Sequence, residues 1–340
     1  MARRSLPYPG TLRRHGPVTK LPAIFKSLTA LRRPMSHDGV GLELQRDWRP
    51  LADNDLPLIV VSHNERSLIS PFLAHYRKLG VSRFLWVDDA STDGSPDLLA
   101  GEPDIDLHIS NVRYKAAGRG RIWREILVRR YGMDRWYVSV DADEFLVYRH
   151  CETIPLNSVV GTLKNRGVFH MPAPMLDLYP PGRVADARFD PLAGKFPWEV
   201  ASNFDASGYK ITASSHGLKI EGGVRTRVFG ADVLLTKYPV LYWSKSSHLS
   251  KNIHYPGPYW RNFETPMGAL LHFKFFSDFT ARFNQTVANG QHFGDGKMYK
   301  DMLAGMETPS ELVLESSISA RYRGPEDLYS RGFFADWRSN

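Results

Sequence analysis

From Leu56 onward the apolar and polar positions fall into short blocks with distinct periods. Leu56–Ser62 is an apolar run without helical period, flanked by polar residues, and predicts a buried strand. From Arg66 to Leu79, the residues Leu68, Ile69, Phe72, Leu73, Tyr76 and Leu79 recur at spacings of three and four. That makes one apolar stripe of a helix, and Gly80 ends it. Phe84–Val87 predicts a second strand that runs into Asp88-Asp89. A turn over Ala90–Ser95 and a short helix over Pro96–Leu99 come next. A third strand spans about Ile105–Ile109. A helix covers about Gly120–Tyr131, with Ile122, Ile126 and Leu127 inward. A fourth strand, Trp136–Val140, ends at Asp141. A helix near Leu156–Leu163 and a strand at Val168–Met171 continue the series. This alternation predicts an α/β fold, a Rossmann-like, mostly parallel sheet flanked by helices.

Past Pro172 the texture changes. Residues 172–210 are rich in Pro, Gly and Asp and poor in periodicity, as in a long active-site loop or the edge of a second lobe. Val233–Leu235, Val240–Trp243 and Ala269–Phe276 predict strands, and Phe279–Ala288 and Lys297–Leu303 predict helices. The C-terminal part is therefore expected to be α+β, wrapped onto the first half. No internal repeat is visible.

Composition narrows the class. At 42% hydrophobic and 24% charged residues over 340 positions, the chain is that of a folded globule rather than a disordered one. Its one cysteine, Cys151, excludes an intrachain disulfide and a cysteine-cluster metal site. The net charge of +8 is concentrated: residues 1–50 hold ten Lys/Arg against three acids, and the rest of the chain nets only +1. A nearly neutral body argues against nucleic acid as a partner. No apolar run approaches the roughly 17–25 residues needed to cross a bilayer, and no secretory signal is apparent. The basic head reads as a solvated extension, because no apolar stretch accompanies the charge as a surface-lying helix requires. Peripheral contact with an anionic membrane surface is the alternative.

The acids carry the chemistry. In an open parallel sheet, ligands bind at the carboxyl ends of the strands. His63-Asn64-Glu65, Asp88-Asp89 and Asp141-Ala-Asp143-Glu144 all fall there. Crowded carboxylates need a cation or many donors. Hard oxygen ligands favour Mg²⁺ or Mn²⁺, which typically bridge carboxylates to substrate phosphates. The alternative for Asp88-Asp89 is a plain turn cap. No glycine-rich dinucleotide fingerprint follows the first strand.

His63-Asn64-Glu65, Asp88-Asp-Ala-Ser-Thr-Asp-Gly-Ser95 and Val140-Asp-Ala-Asp-Glu-Phe-Leu146 together resemble the family 2 type glycosyltransferases. More narrowly, the chain resembles the bacterial family 2-like branch related to family 92. Gly222–Gly230, Leu235–Pro239 and Ala269–Phe275 support the narrower likeness, which covers about Leu56 to Phe283. The resemblance implies a glycosyltransferase A-type fold, a nucleotide sugar, a divalent cation and inversion at the anomeric carbon. It places His63 at the nucleoside, where Tyr is more usual, and Asp88 and Asp89 at base and ribose. It places Asp141 and Asp143 at ribose, metal and diphosphate. The acceptor-side Gln-x-x-Arg-Trp motif of the family is absent.

Glycosyl transfer must stabilise a leaving diphosphate and deprotonate an acceptor hydroxyl. His272 and Lys274 alternate on a predicted strand and share a face; one can ligate the metal and the other can pair with phosphate. The alternative is an ordinary half-exposed strand. Arg225 and Arg227 repeat the spacing after Gly222-Gly223, where a ligand can approach closely, or they belong to a solvated hairpin. Arg119 and Arg121 open a helix near the strand ends, where anions are favoured, with a surface position as the alternative. Glu221 is the candidate base among Glu199, Asp205 and Asp177, or it merely balances Arg225 or Lys219.

The site set is thus Glu221 as base, His63, Glu65, Asp88, Asp89, Arg121, Asp141, Arg225 and Lys274 for substrate, and Asp141, Asp143 and His272 for metal. The expected function is transfer from a UDP- or GDP-sugar to a glycan or lipid-linked acceptor, in the cytoplasm or at the inner face of the membrane. Nucleotidyl transfer onto a sugar phosphate and a non-catalytic nucleotide or glycan module are the alternatives. The chain divides into a basic extension (1–50), a nucleotide-sugar-binding half (55–175), an acceptor-binding half (176–310) and a tail (311–340).

Overall fold

The computed structural model describes residues 17–31, 39–250 and 253–339. Arg3, Arg4, Arg13, Arg14, Arg32 and Arg33 of the basic head lie outside them. The chain runs through α1 (Pro17–Leu31), β1 (Leu42–Leu44), β2 (Pro57–Ser62), α2 (Arg66–Lys78) and β3 (Arg83–Asp88). It continues through α3 (Ser95–Ala100), β4 (Ile105–Ser110), α4 (Arg121–Tyr131), β5 (Arg135–Asp141), β6 (Glu144–Tyr148) and α5 (Leu156–Asn165). Then come β7 (His170–Met171), β8 (Met175–Leu178), β9 (Asn203–Asp205), β10 (Tyr209–Ser214), β11 (Gly217–Gly222) and α6 (Val224–Phe229). The last elements are β12 (Val240–Trp243), β13 (His248–Leu249), β14 (Pro256–Gly257), β15 (Gly268–Phe273), α7 (Phe279–Asn289), α8 (Lys297–Ala304), β16 (Ser319–Arg321) and α9 (Pro325–Ser330).

The result is a mixed α/β architecture with helices flanking the sheets. The main sheet has the order β1-β4-β3-β2-β5-β12-β7. Its central four strands are parallel, while β1, β12 and β7 join by antiparallel pairing. Alternation along the parallel strands separates two faces. Leu58, Val60, Phe84, Trp86, Val138 and Val140 pack with residues of α2, α3 and α5. Ile59, Val61, Leu85 and Val87 pack with Trp123, Leu127 and Val128 of α4. From β2 the chain goes to β3 and β4 on one side, then returns to β5 on the other. The gap between the carboxyl ends of β2 and β5 is thus the topological switch point, where such sheets open a crevice.

A second sheet, β6-β15-β8, stands beside this crevice. In its register His272 of β15 lies opposite Glu144 of β6 and Asp177 of β8. β6 was not read from the sequence, since its five residues are all buried and show no alternation.

Two expectations change. Val233–Leu235 forms no strand; Leu234 makes a single bridge to Glu221. Arg225 and Arg227 sit on the one-and-a-half-turn helix α6 rather than on a hairpin strand. Gly222 and Gly223, at φ +119° and +79°, turn the chain out of the hairpin into it, and a Cβ on Gly222 would collide with the Gly208 carbonyl oxygen. Described residues near both ends pack on the body. Leu328, Phe333, Phe334 and Trp337 join the core of the main sheet, and α1 seats Ala23 against Tyr238, Tyr255 and Tyr259.

Several core histidines are held neutral. Burial pushes His75 and His108 down to about 4 and His170 to about 3, from an ordinary 6.5. In the unfolded chain they take up protons below pH 6.5, so their contribution is complete above that pH. It is lost as the pH falls toward 4, at up to about 1.4 kcal/mol per pH unit per histidine. The urea midpoint should therefore drop steeply between pH 6.5 and 4.5; a flat profile there would contradict the burial assigned to these rings.

Candidate functional site

A cleft of about 1070 Å³ opens at the switch point, walled by the strand ends on one side and by α6, α7 and α8 on the other. The loops after β2 and β3 are locked together by side-chain caps. The amide of Asn64 donates to Ser91 Oγ at 2.8 Å, Thr92 N to Asn64 Oδ1 at 2.7 Å and Arg66 N to Asp93 Oδ2 at 2.9 Å. His63 lines the cleft with both ring nitrogens engaged. Nδ1 donates to the Asp89 carbonyl at 2.7 Å and Nε2 accepts from Asn289 Nδ2 at 3.1 Å. Glu65 is held by Arg282 of α7, whose Nη2 lies 2.6 Å from each carboxylate oxygen.

The aspartate pair divides its work. Asp88 is 1% exposed and does not line the cleft. It accepts from Ser91 N at 2.8 Å and caps its own turn behind the cleft wall, the turn cap that the sequence offered as the alternative to a substrate contact. Burial raises its pKa. Asp89 does line the cleft, and fastens the next loop by accepting from Arg113 Nε at 2.9 Å and Tyr114 N at 3.1 Å.

Asp141 is fully engaged by protein cations. Arg124 Nη2 lies 2.6 Å from Oδ1 and Lys237 Nζ 3.0 Å from Oδ2. Lys237 also pairs with Glu144 at 3.0 Å, whose other oxygen accepts from Asp141 N. Each oxygen already accepts from a protein cation, so a metal at Asp141 would share it with Arg124 or Lys237. Burial would raise its pKa, but Lys237 and Arg124 together hold it well below the usual carboxylate range.

Asp143 meets the second sheet. Its Oδ2 lies 2.5 Å from Lys274 Nζ and 3.4 Å from His272 Nε2. Burial would raise its pKa; Lys274 and His272 outweigh this and hold it at about 2. His272 Nδ1 donates to Asp177 Oδ1 at 2.5 Å, and Asp177 Oδ2 accepts from Arg225 Nε at 2.8 Å. In that tautomer the Nε2 lone pair faces Asp143, with a carboxylate orienting the ring from behind, as behind many metal-bound imidazoles. Asp143 and His272 are two side chains that would hold a divalent cation here, with the Lys274 ammonium beside the same Asp143 oxygen. Among the described residues no group of three or more His, Cys, Asp or Glu side chains is arranged to hold a metal ion.

Of the other candidates, Arg225 lines the cleft, and its Nη2 is buried without a hydrogen-bond partner. Arg121 lies outside the cleft wall, 3.6 Å from Glu125; its neighbour Arg119 lines the cleft instead, over the Phe293 ring. Glu221 is not at the cleft. On β11 it pairs with Lys219 at 2.5 Å, which removes it as a base. Arg227 pairs with Asp205 and bonds the Leu314 carbonyl, tying α6 to the C-terminal segment.

Sequence reading missed Arg113, Arg124, Lys237 and Arg282, and weighed Asp177 only as an alternative base. Lys237 lay in a segment noted without a role, and Arg124 and Arg282 in expected helices, but no local spacing marks the acids they meet. Among the described residues, no helix is long and apolar enough to cross a membrane. No family model matches the chain, and no curated protein matches it.

Proposed function

We propose that the chain is a glycosyltransferase with a glycosyltransferase A-type fold, transferring sugar from a UDP- or GDP-sugar to a saccharide or lipid-linked acceptor. The observation that carries this reading is the meeting of Asp143 and His272 with the cations Lys274 and Arg225 at the switch point. In the transfer, the acceptor oxygen bonds to the anomeric carbon and the bond to the β-phosphate oxygen breaks. The electron pair leaves with the diphosphate, and the hydroxyl proton goes to a base. Asp143 and His272 would hold a divalent cation, which would supply positive charge for the leaving diphosphate. Arg225 offers its unpartnered Nη2 to the same oxygens, and Lys274 brings its ammonium beside them. Burial works against that ammonium, but Asp143 and other acids outweigh it and hold its pKa above the usual lysine range. Lys237 and Arg124 keep Asp141 ionised as an acceptor for sugar or ribose hydroxyls. On the acceptor side, Asp232 lines the cleft and makes no ion pair among the described residues, which makes it the candidate base in place of Glu221.

The test is calorimetric titration of the full chain with UDP and GDP, each with and without Mn²⁺. One nucleotide should bind far more tightly with the metal present, and its sugar conjugates should then release nucleoside diphosphate on transfer. Absence of metal-dependent binding to either overturns the reading. Release of pyrophosphate from a nucleoside triphosphate and a sugar phosphate would replace it with nucleotidyl transfer.

A further inference from the structure

The first helix gives the basic head an apolar partner that the sequence pattern had not revealed. On α1, Ala23 and Ser27 are buried one turn apart. Ser27 Oγ accepts from Tyr259 N at 2.8 Å and donates to the Ala23 carbonyl at 2.7 Å, which pins the helix to the body. Leu21 and Phe25, also one turn apart, point the other way and are 47% and 69% exposed. Two large apolar side chains thus project from a helix whose inner face is already satisfied.

Charge identifies what would cover them. Arg3, Arg4, Arg13, Arg14, Lys20, Lys26, Arg32 and Arg33 all fall within residues 1–33, and the first acidic residue of the chain is Asp38. A cationic segment with an exposed leucine and phenylalanine on its helix suits an anionic lipid surface. The rings and methyl groups enter the acyl boundary while the cations meet headgroup phosphates. A nucleic acid would satisfy the cations but leave the apolar pair in water.

We propose that α1 docks this protein onto anionic bilayers through Leu21 and Phe25. The cluster that seats α1 contains Tyr238 and Tyr255, the chain neighbours of the cleft-lining Lys237 and His254.

The test is co-sedimentation of the full chain with phosphatidylcholine vesicles, with and without phosphatidylglycerol, alongside binding to an RNA homopolymer. The native protein should sediment with the anionic vesicles and release at high salt. Leu21→Ser with Phe25→Ser should weaken binding by about tenfold or more without changing the melting temperature, since both side chains are exposed. Arg13→Glu with Arg14→Glu should weaken it comparably. Equal binding to both vesicle types, undiminished binding by the Leu21/Phe25 variant, or preference for the RNA overturns the proposal. None of these outcomes depends on the transferase reading, which the nucleotide titration decides separately.

Discussion

Replacing Asp177 by alanine is expected to destabilise the protein by about 3–5 kcal/mol, the usual cost of stranding a buried charge by removing its partner. The carboxylate is enclosed, with Arg225 Nε at 2.8 Å on one oxygen and His272 Nδ1 at 2.5 Å on the other. Arg225 is itself only 5% exposed, so water cannot replace the lost acid cheaply. In a chain of this length, the change should lower the melting temperature by on the order of 5 °C. Asp177→Asn separates packing from electrostatics. It keeps the shape and one acceptor, so the melting temperature should recover in part. Affinity for Mn²⁺ should still fall about 10- to 100-fold, because the imidazole loses the carboxylate that orients it. A melting temperature unmoved by Asp177→Ala would mean the Arg225–Asp177–His272 chain is not formed in solution.

The second large effect is on turnover. Asp143→Ala should reduce sugar transfer by about a thousandfold or more, since it removes both a point of attachment for the cation and the anion beside Lys274. Free Mn²⁺ can be followed by its electron spin resonance signal with UDP or GDP present. The native protein should quench that signal; Asp143→Asn, which is nearly isosteric, should quench it far less while melting as a folded protein. Transfer retained in either variant would remove Asp143 from the chemistry. Both predictions act on His272, and they act differently: Asp177 orients the ring from behind, and Asp143 faces its free nitrogen.

The legible part of this molecule was local. The strands β2 to β5 and the helices between them, α2 to α4, are written in spacings of two, three and four residues, and they stand within one or two residues of the expected bounds. The arrival of His63, Glu65, Asp89 and Asp143 at one edge follows from the same pattern, because each stands just past a strand of a parallel block. Where the pattern breaks down, so did the reading. β6 is buried on both faces and has no period. The turn at Gly222-Gly223 is set by close approach to the Gly208 carbonyl and not by residues near it in sequence.

The amino-acid sequence by itself determined the order of strands and helices, and which acids stand at the strand ends, since backbone period and turn chemistry act over a few residues. Tertiary structure decided what those acids do. Lys237 is 96 residues from Asp141, Arg282 is 217 from Glu65 and Asp177 is 95 from His272. Which cation meets which carboxylate depends on strand register and on burial that makes an unpaired charge too costly to keep. That long-range balance set Arg124 and Lys237 on Asp141 and strung Asp143, His272, Asp177 and Arg225 into one chain of contacts.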